Sequence, residues 1–481
     1  MFNKQRVIEK KKGQVYTPEF VVCNMLDLID YKNSSILEKN IIDNSCGNGA
    51  FLKEIVSRYC SIALENNVSR KKIKEDLERY IHGIDLDETE CFICRKALDC
   101  ISARYGIFDV RWDIVCGDTL SVKKYDNSMD FVVGNPPYVR VHNLDDIIDK
   151  VKTFQFSKNG MTDLFIVFFE IGLHMLNKNG VMCYISPSSY FTSNSGKVMR
   201  SYFVKNSLLS DLVDLEHSKI FNASTYTCIT VLRKNIRQNF VNYYKYDLKN
   251  KKIYFEERLE PNDYMIGNCF YFAKKEKLNK LKSILFYNPI LSGDTIDVKN
   301  GFATLCDDFF IKDKFPFSSY VIPVIKSSTG ELKQCFFPYD EFGNLISYNT
   351  LISNDIIKKY YSLNLNFLKN RSLENEENWW GFGRTQAIKD VSKNKYSVNS
   401  LVKDVKDIKL MKCERGVGVY SGLYILTNVD FERIQNVLKS NDFIDYVSLL
   451  GKYKSGGYYT FSSKDLKKYL EYQCLRKGNY E

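Results

Sequence analysis

The first half of the chain alternates short apolar runs with longer amphipathic stretches. This alternation is typical of strands that are joined by crossover helices in a parallel sheet. It predicts strands at 41–43, 80–85, 114–117, 129–134, 180–186, 211–216 and 226–233. It also predicts three helices: one at 50–59, one that follows the strand at 80–85 and ends near residue 103, and one at 162–177. We therefore predict an α/β domain with a doubly wound, mostly parallel sheet over residues 1–250. Such sheets bind ligands beyond the carboxyl ends of their strands.

Beyond about residue 250 the regular alternation gives way to irregular mixed segments. They include a lysine-rich patch at 274–282 and an aromatic cluster at 379–382. The sequence contains no internal repeat, and no low-complexity linker separates the two halves. The pattern predicts a second domain of mixed α/β character over residues 251–481.

Length and composition agree with two domains. A chain of 481 residues is too long for one compact core, and 44% hydrophobic with 26% charged residues is typical of a soluble globular protein. The richest apolar stretch, 161–176, is interrupted by Asp163, Glu170 and His174, and the first 14 residues contain no apolar core. We therefore expect a cytoplasmic protein with no membrane segment.

The cysteines and histidines offer little metal chemistry. Of the 14 cysteines only Cys91 and Cys94 form a C-x-x-C pair, and a zinc knuckle needs a second such pair. In a chain without a secretory signal we expect reduced thiols, with this pair packed on a helix against the sheet. We expect no metal.

Positive charge is concentrated in the second half. The formal charge is +3 over residues 1–240 and +8 over residues 241–481, which together give the +11 of the whole chain. A basic half rich in Tyr, Phe and Trp suits a polyanion with stackable bases, although many basic proteins bind no nucleic acid.

Three acidic residues follow successive predicted strands. Asp43 precedes the turn Asn44-Ser45-Cys46-Gly47-Asn48-Gly49, whose glycines let the backbone approach a ligand closely. Asp85, which is followed by Leu86, is placed to accept hydrogen bonds from ribose hydroxyls. Asp118 is placed to accept a hydrogen bond from the exocyclic amine of adenine. The spacing of about 40 residues between the turn and Asp85 argues against a dinucleotide. We interpret the three acids as a nucleoside site; the alternative is three unrelated turn or cap aspartates.

The segment Asn135-Pro136-Pro137-Tyr138 directly follows the apolar strand at 129–134. Two prolines fix the backbone and remove two donors, so the Pro136 carbonyl and the Asn135 amide oxygen can both accept from one amino group. Accepting both protons while that nitrogen becomes tetrahedral stabilises the transition state more than the ground state. Tyr138 offers a flat face to a base. The alternative is a rigid turn after a strand.

With these motifs the chain resembles the S-adenosylmethionine-dependent N6-adenine DNA methyltransferases of the gamma order, the TaqI type found in restriction-modification systems. The resemblance covers roughly residues 13–235 and implies a Rossmann-like class I methyltransferase domain followed by a target-recognition domain. It assigns catalysis to Asn135, Pro136, Pro137, Tyr138 and Phe221, the last as a second aromatic against the flipped base. It assigns cofactor binding to Tyr16, Thr17, Pro18, Asp43, Ser45, Cys46, Gly47, Gly49, Asp85, Leu86, Asp118 and Thr119. Thr119 stands where some relatives carry an aromatic, so that packing is expected from elsewhere, for example from Phe165.

Three segments of the second half, at 300–305, 383–386 and 454–461, are similar to segments that recur in the C-terminal regions of such methylases. We expect phosphate contacts and base stacking there, with structural packing as the alternative. The candidate DNA-binding residues are Trp379, Trp380, Arg384, Lys452, Lys454 and Tyr458.

The sequence thus predicts an enzyme that transfers a methyl group from S-adenosylmethionine to N6 of an adenine flipped out of double-stranded DNA. We expect a monomer, with any cognate restriction endonuclease on another chain. Two alternatives remain: a methyltransferase acting on protein glutamine or on guanine of ribosomal RNA, and a DNA-binding subunit without catalytic activity. The large basic, aromatic second half argues against the first, and the intact Asn135-Pro136-Pro137-Tyr138 segment against the second.

Overall fold

The computed structural model describes residues 17–141, 147–159, 162–215, 226–234, 238–289, 293–371 and 376–476. The chain divides into two compact units, Met1–Asn279 and Lys280–Glu481. Each unit has its own sheets and its own buried core.

The first unit is built on a nine-stranded sheet in the order β3-β2-β1-β4-β5-β7-β6-β8-β9. The strands are β1 (Ile41–Asp43), β2 (Ile81–Asp85), β3 (Asp113–Cys116), β4 (Met129–Gly134), β5 (Leu176–Pro187), β6 (Leu209–Asp214), β7 (Thr227–Arg233), β8 (Val241–Asp247) and β9 (Lys252–Leu259). The neighbours from β3 through β5 are all parallel, and so are β6 and β8. Strand β7 lies antiparallel between β5 and β6, and β9 is antiparallel to β8. The sheet is therefore mostly parallel, as the sequence predicts.

Helices occupy the crossovers from β1 to β2, from β2 to β3 and from β4 to β5, and further helices precede β1 or follow β5. They are α1 (Glu19–Leu28), α2 (Ala50–Glu65), α3 (Arg70–Tyr80), α4 (Glu88–Ala103), α5 (Ile148–Lys152), α6 (Leu164–Met175), α7 (Lys197–Lys205), α8 (Pro261–Tyr264) and α9 (Lys275–Leu285), and a short hairpin pairs β10 (Met265–Ile266) with β11 (Cys269–Phe270). Since such crossovers are right-handed, the chain winds away from β1 in opposite directions through β2 and through β4. The order of strands reverses at this point, where open α/β sheets form their ligand crevice.

Burial explains why these segments fold as they do. All three residues of β1 are buried, since a central strand is covered on both faces. Helix α6 is apolar nearly all round, and eleven of its twelve residues are buried. Cys91 and Cys94 are fully buried on α4, within the same core as β1 and α2.

The sheet of the first unit continues past residue 250, the domain boundary that the sequence predicts. Strand β9 pairs with β8 from Lys252 to Leu259, so residue 250 lies in the turn of a hairpin. After that hairpin the chain still packs within the first unit, where the fully buried Arg200 donates to the Asn268 carbonyl at 2.7 Å. The division between the two compact units comes at residues 279 and 280.

The second unit combines short strands with helices. Its strands are β12 (Ile296–Asn300), β13 (Ile311–Lys312), β14 (Val321–Lys326), β15 (Glu331–Phe336), β16 (Lys395–Val398), β17 (Leu401–Val402), β18 (Leu410–Cys413), β19 (Gly418–Tyr420), β20 (Leu423–Thr427), β21 (Tyr453–Lys454) and β22 (Tyr458–Thr460). They form sheets in the orders β12-β20-β16-β18, β13-β15-β14-β19 and β17-β22-β21. The helices are α10 (Asp307–Phe310), α11 (Tyr348–Leu351), α12 (Asp355–Lys369), α13 (Phe431–Leu438), α14 (Asn441–Leu449) and α15 (Ser463–Leu475).

Aromatic side chains dominate the core of the second unit. Phe309, Phe336 and Tyr361 are buried and pack against one another with ring centroids 5.2–6.1 Å apart. Much of the high aromatic content of the second half is therefore used for packing. Among the described residues of both units, no helix combines the length and the apolar character needed to cross a bilayer.

Candidate nucleoside and amine site

The turn after β1 holds a glycine loop against the next strand. The Cys46 backbone N–H donates to the Ile84 carbonyl at 2.9 Å, and Gly49, with φ +83°, begins α2. A side chain at Gly49 would collide with the Cys94 sulfur, 2.9 Å from the position of its Cβ. At Gly47, with φ +47°, a Cβ would meet only the Glu90 carboxylate at 3.9 Å. Packing therefore requires glycine at position 49, whereas Gly47 keeps one side of the loop open.

Asp85 closes this loop from β2. One carboxylate oxygen accepts from the Gly47 backbone N–H at 2.8 Å, and the other accepts from the Asp87 backbone N–H at 2.9 Å. These two bonds fix the plane of the carboxylate at the edge of the sheet. Leu86 follows with 74% of its side chain exposed, which leaves an apolar face open directly beside the acid.

Asp118 and Thr119 follow β3 and have different environments. Thr119 is buried, and its hydroxyl donates to the Asn44 carbonyl at 2.8 Å, which ties this segment to the glycine loop. Asp118 is half-buried and accepts from the Leu120 backbone N–H at 3.0 Å. Lys150 of α5 also donates to the Asp118 carboxylate at 2.8 Å. The acid that the resemblance assigns to an adenine amine therefore faces a lysine in this structure.

Asn44, which the sequence marks only as a turn residue, is a structural centre of the site. Its side chain is fully buried, and its amide oxygen accepts from the Tyr184 hydroxyl of β5 at 2.8 Å. Its backbone carbonyl receives the Thr119 bond. Asn44 thus links loops that follow β1 and β3 to a side chain of β5. Its position directly after Asp43 gave no chemical signal beyond that of a turn residue.

The segment Asn135-Pro136-Pro137-Tyr138 leaves β4 beside the glycine loop. The Ser45 hydroxyl donates to the Asn135 backbone carbonyl at 3.2 Å, and the Asn135 amide nitrogen donates to the Thr17 hydroxyl at 3.1 Å. Because the nitrogen is turned towards Thr17, the amide oxygen is the other, acceptor end of this side chain. The Tyr138 hydroxyl donates to the Ile185 carbonyl at 3.4 Å, which fixes its ring. Pro136 is buried and Pro137 is half-buried.

Gly134 is needed for β4 to approach β1 closely at this point. It has φ +149°, and the Cβ of any other residue would lie 2.6 Å from the Asp43 carboxyl oxygen. The ends of β1 and β4 are therefore in direct contact at the reversal of strand order.

Burial controls the charge of Asp43. The side chain is 1% exposed, and loss of water raises its pKa to about 8, with a further rise from the nearby negative charge of Asp85. The Ser45 backbone N–H, which donates to this carboxyl at 3.1 Å, acts in the opposite direction. Positive charge or further donors brought to the site would favour the ionised form. Burial also raises the pKa of Tyr138, so this phenol stays neutral.

The structure thus brings most of the predicted site residues of the first unit together. Ser45 links the Asp43 loop to Asn135, Asp85 closes the loop, and Thr119 reaches it through Asn44. Pro18 caps α1, and its carbonyl accepts from the Val21 backbone N–H at 2.9 Å. Phe165 is buried on α6. Tyr16 and Phe221 lie outside the described residues.

The candidate DNA-binding residues have contrasting environments. Trp379 and Trp380 pack against Tyr348, with ring centroids 5.0 and 5.9 Å away, which favours the packing alternative for both. The Lys452 amine donates to the Asp465 carboxylate at 2.5 Å, and that carboxylate also caps α15. Arg384 is exposed.

Lys454 and Tyr458 face each other across the hairpin of β21 and β22. The Lys454 side chain is exposed, whereas Tyr458 is half-buried. Among the described residues no group of three His, Cys, Asp or Glu side chains is arranged to hold a metal ion.

Comparison with known proteins gives a family match in the first unit. Residues 54–221 match the Eco57I restriction-modification methylase family. The matched range contains the Asp85, Asp118 and Asn135 segments and covers about a third of the chain.

Two curated relatives extend the similarity. The chain is 23% identical over 410 residues to the Type II restriction enzyme and methyltransferase RM.Eco57I of Escherichia coli, covering 73% of this chain and 39% of that protein. It is 25% identical over 300 residues to the Type II methyltransferase M.BstVI of Geobacillus stearothermophilus, covering 59% of this chain and 51% of that protein. The chain therefore spans about half the length of these relatives or less.

The fold is similar to that of a solved restriction-modification enzyme. The Type IIL enzyme MmeI, determined in complex with DNA, aligns with a TM-score of 0.65 and 12% identity, covering 93% of this chain and 64% of that one. Because the alignment covers nearly all of this chain, both units take part in the likeness of fold.

Proposed function

We propose that this chain is a DNA methyltransferase of a restriction-modification system that transfers a methyl group from S-adenosylmethionine to N6 of adenine. The observation that carries this proposal is the hydrogen bond from the Ser45 hydroxyl to the Asn135 carbonyl at 3.2 Å. It joins a nucleoside-type loop to a pair of hydrogen-bond acceptors for an amine at the reversal of strand order. The methyl donor and the amine that receives the methyl group would therefore be held side by side.

The residues of the loop fit S-adenosylmethionine. Gly47 leaves room beside the backbone, the Asp85 carboxylate is fixed where ribose hydroxyls can donate to it, and Leu86 offers an apolar face to the adenine ring. The buried Asp43 suits a cofactor that carries positive charge. When bound, the cofactor supplies a methyl group on a sulfonium sulfur. Asp118 becomes available to the adenine amine once Lys150 is displaced from it.

The chain's own residues act on the target amine. The Asn135 amide oxygen and the Pro136 carbonyl accept hydrogen bonds from the two N–H groups of the N6 amine. These bonds direct the nitrogen lone pair towards the methyl group. As the N–C bond forms the sulfur–carbon bond breaks, and the amine then gives up one proton to water. Neither a covalent enzyme intermediate nor a metal ion is part of this scheme. Tyr138 stays neutral and presents its ring to the base.

The target must leave the double helix, because N6 of adenine is paired inside it. Unstacking a base costs a few kcal/mol, which stacking on Tyr138 and phosphate contacts offset. We propose that the second unit provides the recognition of double-stranded DNA, that the protein acts as a cytoplasmic monomer, and that a cognate endonuclease is a separate chain. RM.Eco57I, named as a restriction enzyme and methyltransferase, and M.BstVI, named as a Type II methyltransferase, support the methyltransferase part of this proposal.

The test is a parallel transfer assay. Labelled S-adenosylmethionine is offered with duplex DNA, with ribosomal RNA and with a release-factor protein, and modification-sensitive sequencing of the labelled DNA locates the methylated base. We expect label in duplex DNA on adenine N6. Label only in protein or RNA would overturn the DNA assignment and support the alternative methyltransferases, and cofactor-independent DNA binding without transfer would support a non-catalytic subunit.

A further inference from the structure

An exposed leucine of the second unit adopts a backbone conformation that leucine rarely takes. Leu305 has φ +55°, in the left-handed region, and 47% of its side chain is exposed. A branched side chain is unfavourable in this region, and such residues persist only where the surrounding structure holds them. Strained residues of this kind cluster at functional sites. Leu305 is therefore a candidate for a role outside the core.

The backbone on both sides of Leu305 is held firmly. Thr304 is fully buried, and its hydroxyl donates to the Asp307 carboxylate at 2.5 Å and accepts from the Cys306 backbone N–H at 3.0 Å. The Arg371 guanidinium donates to the Thr304 carbonyl at 2.6 Å. These bonds fix the peptide before and after Leu305, so the leucine is presented on a rigid support.

Arg384 lies beside this leucine on a neighbouring segment. Ala303 and Arg384 form an antiparallel bridge with backbone N–O distances of 2.9 and 3.2 Å. Leu305 lies against Gly383, where any added side chain would overlap it. Arg384 is exposed, and within the part of the chain that the structure describes its guanidinium forms neither an ion pair nor a hydrogen bond. Two segments that are distant in sequence thus present one apolar and one positively charged side chain together.

This pairing matches the chemistry of duplex nucleic acid. Stacked bases form an apolar interior that a leucine can enter between two base steps, and the flanking phosphates attract a guanidinium. Asp307, which accepts from Thr304, and Asp308 are both exposed on this segment, so the phosphate contact at this tip is assigned to Arg384.

We propose that Leu305 is a wedge that inserts between two base pairs of duplex DNA while Arg384 binds an adjacent phosphate. This inference rests on the proposed function and adds an apolar contact that opens the DNA. It also places the apolar DNA contact on an exposed side chain with a rigid support, and not on Trp379 and Trp380, which pack against Tyr348.

The test uses duplexes of the methylated sequence that carry 2-aminopurine at one position at a time, outside the target adenine. With the full-length protein we expect fluorescence to rise at one base step, which reports unstacking. Leu305→Ala should abolish that rise and raise the Kd for DNA about tenfold, the loss expected when about two methyl groups are no longer buried. Leu305→Met should keep the fluorescence rise and the Kd for DNA within about threefold of the wild-type values. Leu332→Ala, at another leucine that is 65% exposed, is the matched control and should change neither.

A glycine variant separates DNA binding from folding. Leu305→Gly relieves the left-handed strain, so it should melt at a higher temperature than Leu305→Ala and yet bind DNA just as weakly. If wild-type protein methylates the duplex while Leu305→Ala keeps its affinity and its fluorescence pattern, the wedge is overturned and the proposed function stands. If wild-type protein transfers no methyl group to duplex DNA, both are overturned.

Discussion

Asp43 combines a position at the centre of the site with an unfavourable environment for its charge. Its folded-state pKa of about 8 lies above the ordinary value of 3.8, so the folded protein binds this proton more tightly than the unfolded chain. The stabilising effect of that proton is complete below about pH 4 and is lost as pH rises towards 8. The ionised carboxyl therefore destabilises the protein without its ligand.

We expect Asp43→Asn to raise the melting temperature at pH 8.5 by several degrees, at about 2–4 °C per kcal/mol for a unit of this size. The difference should nearly vanish at pH 4, and cofactor binding should weaken at both values. Scanning calorimetry at the two pH values measures the effect. Asp149→Asn, at a fully solvated carboxylate, is the control and should show no such dependence. A variant that is less stable than wild type at pH 8.5 would contradict the account of Asp43.

Asn135 is expected to serve the target amine more than the cofactor. Asn135→Ala removes one of two acceptors and should lower the rate of methyl transfer by about 100-fold or more. Cofactor affinity should stay within several-fold, since the contacts of Asp85 and the glycine loop remain. Turnover of labelled cofactor and calorimetric titration separate the two effects, and Asn206→Ala, at an exposed asparagine, is the control. Near-normal turnover in Asn135→Ala would exclude the mechanism.

Asp85→Ala should weaken S-adenosylmethionine binding by about 10-fold to 150-fold, equivalent to roughly 1.5–3 kcal/mol for charge-assisted hydrogen bonds to ribose. The substitution also removes the acceptor of the Gly47 backbone N–H, so the loop loses order. Asp85→Asn keeps one acceptor oxygen, so its affinity for S-adenosylmethionine should lie between those of the wild-type protein and Asp85→Ala. Calorimetric titration measures the dissociation constants. An unchanged constant in both variants would remove Asp85 from the cofactor site.

At the level of single residues, the sequence predicted the acids and the tetrapeptide because each stands directly after an apolar strand. Contacts made across the fold were not accessible in the same way. Lys150 reaches Asp118 from a helix 32 residues later, and Asn44 bonds to Tyr184, 140 residues later. Neither partner is marked by a local pattern, since an isolated lysine or tyrosine fits equally well elsewhere.

Among the elements, strands β1 to β7 were predictable, including the edge strand β3, whereas β8 and the edge strand β9 were not. Strands β1, β2 and β4 are short and mostly buried, and their observed bounds agree with the pattern to within one residue. Strand β9 is largely exposed and mixes charged with aromatic residues, so its sequence lacks the apolar run of a central strand. The same reason applies to the second unit, where strands of two to six residues carry little periodicity.

The position of β9 gives a prediction about fragments. A fragment that ends at residue 279 keeps the hairpin of β8 and β9 and the bond from Arg200 to the Asn268 carbonyl, so we expect it to fold and to bind S-adenosylmethionine. A fragment that ends at residue 250 exposes the edge of β8 and leaves the buried Arg200 without that acceptor. It should melt at a lower temperature or aggregate. Circular dichroism melts of both fragments measure this, and equal stability would contradict the assignment of residues 251–279 to the first unit.

For the whole molecule, the excess of positive charge in residues 241–481 predicts a salt-dependent interaction with DNA. Each phosphate that the protein neutralises contributes about −0.9 to the slope of log K against log salt concentration. If the second unit holds the duplex, the full-length protein should show a slope of several units, and the 1–279 fragment should lose sequence-selective methylation.

Three cations of the second unit make this prediction specific. Arg384 and Lys454 are exposed, so replacing either by alanine should reduce the magnitude of the slope by about one unit if it contacts phosphate. Lys452 is already bound to the Asp465 carboxylate, so Lys452→Ala should lower the melting temperature and leave the slope unchanged. Fluorescence anisotropy titrations between 50 and 200 mM salt, a range in which about six to ten phosphate contacts change affinity by about 10³–10⁵, resolve such differences. An Arg384→Ala variant that keeps its slope but methylates related sequences equally well would instead assign Arg384 to the reading of a base edge.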